Sequence, residues 1–417
     1  MIEKTTLDNG VRILSERNPQ AFSVTVGLWM EVGSRDEDPA QGGVSHFIEH
    51  MAFKGTARRS PLDIAREIDR LGGLANAFTS KEHTCFHARA LSHRLPEICD
   101  LLCDLLLHPA LDPEELERER DVILQEISAV EDTPDELVHV LFSENYWPGH
   151  PLGRPILGSS ESVAAMDRAG IRGYLGANYL PKRMIAAAVG NLEHRQVVDL
   201  MGPALAALPV GPPATPRGAP AHRPGVWLAQ RDSEQAHLAL GLPAPAAGHP
   251  DRFAAALLNL ILGGNMSSRL FQEVREKRGL AYAVFSYLSS YSDCGMLGIY
   301  LGVAPERAAE ALEVVRQELM RLAAEPPFEH ELLDAKENLT GAILLAAENP
   351  ESRMSRIARN EYQFGREVPP AEAAAAVERV GMAQIADLAA RLLDPAQLGV
   401  MALGPLTPGE LGAELAA

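Results

Sequence analysis

Cysteine is scarce in this chain: four residues in 417, Cys85, Cys99, Cys103 and Cys294. That excludes a disulfide scaffold and fits a reducing compartment. Cys99 and Cys103 stand four apart around Asp100-Leu101-Leu102, which reads as one face of an amphipathic core helix with buried thiols. Positive charge is also in deficit, 38 Lys and Arg against 56 Asp and Glu, for a net charge of −18. Nucleic acid and anionic membrane are thereby disfavoured as main partners. No uncharged apolar run approaches the roughly 20 residues of a membrane span. The first residues, Met1-Ile2-Glu3-Lys4-Thr5-Thr6, lack the apolar segment of a signal peptide. A cytoplasmic location is therefore expected. With 46% hydrophobic and 23% charged residues, the composition is that of an ordinary globular protein. A chain of this length is expected to form two or more domains.

Histidine is scarce too, 13 in all, which makes His46-Phe47-Ile48-Glu49-His50 stand out. On a helix, positions 46 and 50 share one face, one turn apart. Two imidazoles so placed can bind one metal ion, and Glu49 projects near it. The five residues thus offer two zinc ligands and a candidate general base, the chemistry of a metallopeptidase. The order HxxEH is the inverzincin form. A catalytic zinc keeps a third protein ligand. A helix expected over 113–130 is rich in carboxylates, most of them a solvated face. Glu126 differs, standing among Val122, Ile123, Leu124, Ile127 and Val130, where a carboxylate is costly unless it binds something. Glu119 lies two turns earlier on nearly the same face.

The stretch 209–224 holds six prolines and little periodicity, and reads as a linker. It separates an N-terminal domain, 1–208, from a C-terminal one, 225–417. The halves echo each other in order. Residues 74–80 parallel 280–286, and Glu131-Asp132-Thr133-Pro134 parallels Glu348-Asn349-Pro350-Glu351. An apolar strand running into glycine closes each half, at 184–191 and 398–407. Such ordered repetition suggests duplication. Strands are expected at 11–14, 23–32, 75–90, 282–289 and 296–303. Helices are expected at 40–53, 61–71, 96–107, 113–130, 252–262, 267–278 and 305–324. Each half is therefore an α+β layer domain.

Gly33-Ser34-Arg35-Asp36-Glu37, Gly43 and His46-Phe47-Ile48-Glu49-His50-Met51-Ala52-Phe53-Lys54-Gly55-Thr56 together resemble the pitrilysin/insulinase superfamily of zinc peptidases, in its mitochondrial processing peptidase-like branch. The resemblance implies two homologous domains, each a mainly antiparallel sheet packed with helices, joined as a clamshell. It implies one zinc per chain on His46, His50 and Glu126. In the family the third ligand is a glutamate 76 residues beyond the second histidine, where this chain has Glu126. Glu49 is then the general base for zinc-activated water, and Glu119 matches the family's helper glutamate. Asn76, Ala77 and Phe78 match the edge strand to which a peptide adds. Arg275 and Tyr282 match a pair that reaches the substrate backbone near the cleaved bond.

The second half has no HxxEH. Residues 252–256 stand in its place, with Lys336 opposite Glu119 and Ile343 opposite Glu126, which implies a metal-free, substrate-holding domain. The long glycine-rich loop of the processing peptidase's non-catalytic subunit is absent. The expected function is a zinc metalloendopeptidase acting on peptides or unfolded protein segments. Because zinc motif and Arg/Tyr pair share one chain, a self-sufficient homodimer is expected. The competing reading is an inert scaffold subunit, but relatives of that kind have degraded metal motifs.

Overall fold

Two runs of strands fold into two mixed sheets flanked by helices. The computed structural model describes residues 2–212 and 215–411. The first sheet contains β1 (Ile2–Thr6), β2 (Arg12–Arg17), β3 (Ser23–Met30), β4 (Leu74–Thr79), β5 (Thr84–Leu91) and β6 (Met184–Gly190), in the order β1-β2-β6-β3-β5-β4. The second contains β7 (Gly225–Gln230), β8 (Ala236–Ala244), β9 (Ala281–Ser290), β10 (Gly295–Val303) and β11 (Gly399–Gly404), in the order β7-β11-β8-β10-β9. Strip β1 from the first sheet and the two orders coincide. In each, the first and last strands of the run pair in parallel, β2 with β6 and β7 with β11, and the other pairings are antiparallel. A shared five-strand topology in one chain is the structural form of the repeat.

Burial on both faces explains the apolar strands. β6 is buried at every residue, as is β10. A strand covered on both sides reads as a continuous apolar run rather than an alternation. One face of the first sheet packs on helices including Val44–Ala52 and Leu95–Leu107, around Phe47, Ile98 and Leu105. The other face is covered by one helix, Pro350–Phe364, which buries Met354, Ile357 and Ala358 against Trp29, Ile185 and Val189. Arg353 holds Glu16 at 2.5 Å, and Lys4 holds Glu361 at 2.5 Å, pinning that helix at two points. The second sheet repeats the plan. Pro134–Tyr146 lays Val138, Phe142 and Tyr146 on Met296, Tyr300 and Met401.

The compact units therefore do not follow a single cut of the sequence. One comprises 1–128, 154–217 and 346–367; the other comprises 129–153, 218–345 and 368–417. Each half of the sequence contributes one helix to the sheet formed by the other. That exchange is invisible in a linear reading, because each exchanged helix carries an ordinary apolar face. The expected linker 209–224 has neither helix nor strand among its described residues; 213 and 214 lie outside them, as do 1 and 412–417 of the terminal domains. The change of unit falls within it, after Arg217. That arginine is fastened to the first unit, donating to Asp36 Oδ2 at 2.7 Å and to the Glu82 carbonyl at 3.0 Å.

Three expected elements differ in detail. The strand expected at 75–90 is a hairpin, β4 and β5, turning at Ser80-Lys81-Glu82-His83. The Ser80 hydroxyl donates to the His83 carbonyl and accepts its N–H, diverting the backbone from the ladder. The helix expected from 40 starts at Val44. Gly43 sits at φ +90° just before it, and a Cβ there would lie 2.4 Å from the Leu157 carbonyl oxygen. The helix expected at 267–278 is wound more widely: over Phe271–Glu276 it forms a π-turn, and Lys277 N–H bonds the carbonyl of Gln272, five residues back.

Candidate metal centre

The helix Val44–Ala52 carries both histidines, and its apolar residues Val44, Phe47, Ile48 and Met51 are buried. Apolar positions at that spacing anchor one face and leave His46 and His50 together on another. Their ring centroids are 4.6 Å apart at 68°. Glu37 secures the start of the helix: its carboxylate accepts the N–H groups of Gly43 and Ser45, each at 2.8 Å. Burial pushes Glu37 up to about 7, against those hydrogen bonds and the nearby Arg154.

Glu126 reaches the pair from the helix Pro113–Glu131. Its Oε2 lies 3.7 Å from His46 Nε2 and 3.7 Å from His50 Nε2. These distances are too long for hydrogen bonds. Donors about 2.0–2.2 Å from a shared zinc at tetrahedral angles stand about 3.3–3.6 Å from one another. The donor set, two imidazole nitrogens and one carboxylate oxygen within 4.8 Å of each other, thus fits a zinc ion. Among the described residues it is the group of this kind that the fold assembles. Glu126 is not enclosed by its apolar neighbours, as its side chain is 41% exposed. The apolar residues beside it in sequence turn into the core instead, Ile123 and Ile127 being buried.

Tautomer and charge suit metal binding. His50 Nδ1–H donates to Glu119 Oε2 at 2.9 Å, which leaves the Nε2 lone pair on the side of Glu126. Glu119 is buried, and its other oxygen bonds Lys54 Nζ at 2.7 Å. Both its oxygens are therefore committed within the protein. Burial, with the neighbouring His50, drives His46 down to about 4, so that ring is neutral near pH 7. His46 Nδ1 is buried with no hydrogen-bond partner.

Glu49 follows on the same helix and is half-buried. Burial raises its carboxyl above the ordinary glutamate value, while hydrogen bonds from the Thr79 hydroxyl and backbone N–H and the nearby His50 pull it down. Thr79 ends β4, the edge strand of its sheet. Asn76, Ala77 and Phe78 lie on this same strand. Ala77 is buried in the core beneath the helices, while Phe78 faces the opposite side against Trp29, centroids 5.4 Å apart.

Arg275 and Tyr282 belong to the second unit. Arg275 Nη1 donates to the Tyr282 carbonyl at 2.8 Å. Its guanidinium lies 4.7 Å from the Tyr282 ring centroid and 4.9 Å from that of Phe271. Tyr282 is skipped by a bulge in β9, since Val303 pairs with Ala281 and Gly302 with Ala283. The bulge turns the phenol outward, and Tyr282 is 79% exposed. Sequence reasoning missed Thr79 and Lys54 as supports. Lys54 lies one turn beyond His50, the only available signal for it.

The fold and these side chains define a two-domain α+β metallopeptidase. The profile described as Insulinase (Peptidase family M16) matches residues 12–160, and that of the Peptidase M16 inactive domain matches 165–339. An uncharacterized zinc protease of Streptomyces coelicolor is 42% identical over 88% of this chain and 82% of its own length. One from Mycobacterium tuberculosis is 39% identical over 96% and 93%. Another from Bacillus subtilis is 40% identical over 88% and 89%. A Helicobacter pylori protease structure superposes with TM-score 0.90 at 22% identity, covering 97% of this chain and 99% of that one. A Pseudomonas fluorescens peptidase M16 inactive domain structure gives TM-score 0.90 at 21% identity, over 98% of each chain. The chain belongs to the insulinase family of zinc metallopeptidases, peptidase family M16. Among the described residues no helix is long and apolar enough to cross a membrane.

Proposed function

We propose that this chain is a zinc metalloendopeptidase that cleaves peptides or unfolded protein segments, with one zinc per chain held by His46, His50 and Glu126. The observation carrying the proposal is the convergence of Glu126 Oε2 on both imidazole Nε2 atoms at 3.7 Å, with Glu49 on the same helix. Zinc at that point supplies Lewis acidity, lowering the pKa of a water molecule and polarising the scissile carbonyl. Glu49 takes the proton of the attacking water at its carboxylate and passes it to the leaving amine. Its raised pKa, set by burial, suits a group that must both accept and release a proton. Glu119 is a positioning residue, fixing the His50 ring through Nδ1. The free edge of β4 offers backbone groups to an extended peptide, which gives affinity with loose sequence preference. Arg275 and Tyr282 hold the peptide backbone, with both motifs in one self-sufficient chain that we expect to act as a cytoplasmic homodimer.

The test is cleavage of an internally quenched peptide library by the purified chain beside Glu49→Gln, with zinc assayed on both. The variant should retain zinc and lose about a hundredfold to ten-thousandfold in rate. Equal rates would remove Glu49 from the mechanism.

A further inference from the structure

A crevice of about 410 Å³ opens in the second unit between the helix Pro134–Tyr146 and the edge strand β9. Trp147, Phe285, Tyr287, Tyr291 and Met296 form most of its wall, with His139 above them. Tyr287 makes its floor. It packs over Gly298 on β10, where a Cβ would lie 2.3 Å from the phenol ring, so a glycine there is what admits the ring. The Tyr287 hydroxyl and His139 Nδ1 satisfy each other at 3.2 Å. Trp147 Nε1 donates to His222 Nδ1 at 3.2 Å, so the indole's polar atom is also engaged. Phe285 stands at the mouth, 42% exposed.

No Asp, Glu, Lys or Arg lines this space. A charged side chain entering it would lose hydration with no opposite charge in the wall itself, although Asp135 is near enough to act on His139. Besides the paired atoms named above, the lining carries the Ser143 hydroxyl, which donates to the His139 carbonyl at 2.9 Å, and the Ser289 hydroxyl, so most of the surface left for an entrant is aromatic and thioether. A neutral ring or branched aliphatic chain gains most from such surface. The crevice also shares one strand with Tyr282 of the peptide-holding pair. Tyr282 sits near the start of β9, and Tyr287 is five residues further along the same strand, about 17 Å for extended chain.

We propose that this crevice is a specificity subsite that takes one aromatic or large aliphatic side chain of the peptide substrate, about five residues from the part held at Arg275 and Tyr282. It rests on the reading of those two residues as peptide-binding. By contrast, the crevice of about 480 Å³ in the first unit, near Arg59, Glu67 and Arg94, is lined largely by charges, of which Arg59 pairs with Glu67 at 2.9 Å and Arg94 with Glu97 at 2.9 Å.

The test uses labelled peptides of one length, in which a single phenylalanine is moved position by position through a Gly/Ser sequence. Binding is read by fluorescence anisotropy on the full chain carrying Glu49→Gln, so that peptides stay intact, and cleavage is read separately on the wild type. At one position, phenylalanine should tighten binding about tenfold or more over the Gly/Ser peptide. That preference should vanish in Phe285→Glu, which charges the mouth, and in Ser289→Trp, which fills the space. Uniform binding at all positions would overturn the subsite. So would a preference that survives both variants, or a stronger preference for lysine than for phenylalanine. Absence of cleavage with the preference intact would count against the endopeptidase reading alone.

Discussion

The two sheets share five strands in one order and one set of orientations, yet they carry different chemistry. Where the first unit has the helix Val44–Ala52 with two histidines, the second has Arg252–Asn259, whose Ala254, Ala255, Leu257 and Leu258 are buried. The position opposite Glu126 is Ile343, which packs against the second core. Opposite Glu119 is Lys336, which donates to the Glu378 carbonyl at 2.8 Å. The comparison teaches that the backbone plan supplies only a scaffold. Three or four side chains decide whether it collects a metal or packs as an apolar layer.

The most drastic way to break the comparison is to make the first unit like the second. Glu126→Ile removes a proposed ligand, so zinc affinity should fall by more than the roughly 10–100-fold that loss of an outer partner costs, and peptide cleavage should fall with it. Metal titration by calorimetry reads the first effect. Zinc bound as tightly as in the wild type would show that Glu126 is not a ligand.

A second contrast lies in the hairpin turns. The turn of the first sheet contains His83, and the matching turn of the second, 291–294, contains no histidine. Burial, reinforced by the guanidinium of Arg217, pushes His83 down to about 4. Below pH 6.5 the unfolded chain takes up a proton at this residue that the folded chain refuses until about pH 4. The stability from keeping His83 neutral is therefore complete above 6.5 and lost as the pH falls to 4, a difference of up to about 3 kcal/mol. His83→Gln should flatten that part of the acid dependence, as measured by urea unfolding across the window. Parallel curves for variant and wild type would show that His83 is not held neutral.

Glu119→Gln sharpens the comparison within the metal site. A glutamine oxygen can still accept from His50 Nδ1–H but forfeits the charge that Lys54 pairs with. Zinc affinity should drop about 10–100-fold while the ion still binds at full occupancy when in excess. Unchanged affinity would reduce Glu119 to a structural ion pair.

The mildest change is the reverse graft. Ile343→Glu places a carboxylate in the second unit without histidines to join it, so no second zinc should appear by metal analysis. The cost should be about 1–3 kcal/mol of stability from a carboxylate set against apolar packing. A second equivalent of zinc would contradict the division of labour between the units.

Much of the site was legible from residue type and spacing. His46, Glu49 and His50 lie within five positions, so local helix geometry alone brings them together. Glu126 stood out as a carboxylate among apolar neighbours but was assigned through the family resemblance, and the structure shows it meeting the histidines from a half-exposed position rather than a buried one. The supports were less legible. Thr79 reaches Glu49 only because β4 lies beside the motif helix, and a threonine closing a strand carries no signal of that. Lys54 was signalled only by its place one turn beyond His50, and its role shows only when Glu119 is placed next to it. The exchanged helices, Pro134–Tyr146 and Pro350–Phe364, could not be assigned to their sheets, because an amphipathic face does not name its partner. The hairpin at Ser80 was read as one strand because β-branched and aromatic residues recur across 75–90, although 79–84 is an unbroken polar run. The turn is closed by the Ser80 N–H and hydroxyl, both donating to the His83 carbonyl, with the hydroxyl also accepting the His83 N–H.

The most direct test of the account is X-ray absorption at the zinc edge on the purified chain, wild type beside a His46→Ala, His50→Ala double variant. The account predicts a shell of two imidazole nitrogens and carboxylate or water oxygen at about 2.0–2.2 Å in the wild type, with zinc lost from the variant. A shell containing sulfur, or an imidazole signal that persists in the double variant, would contradict it.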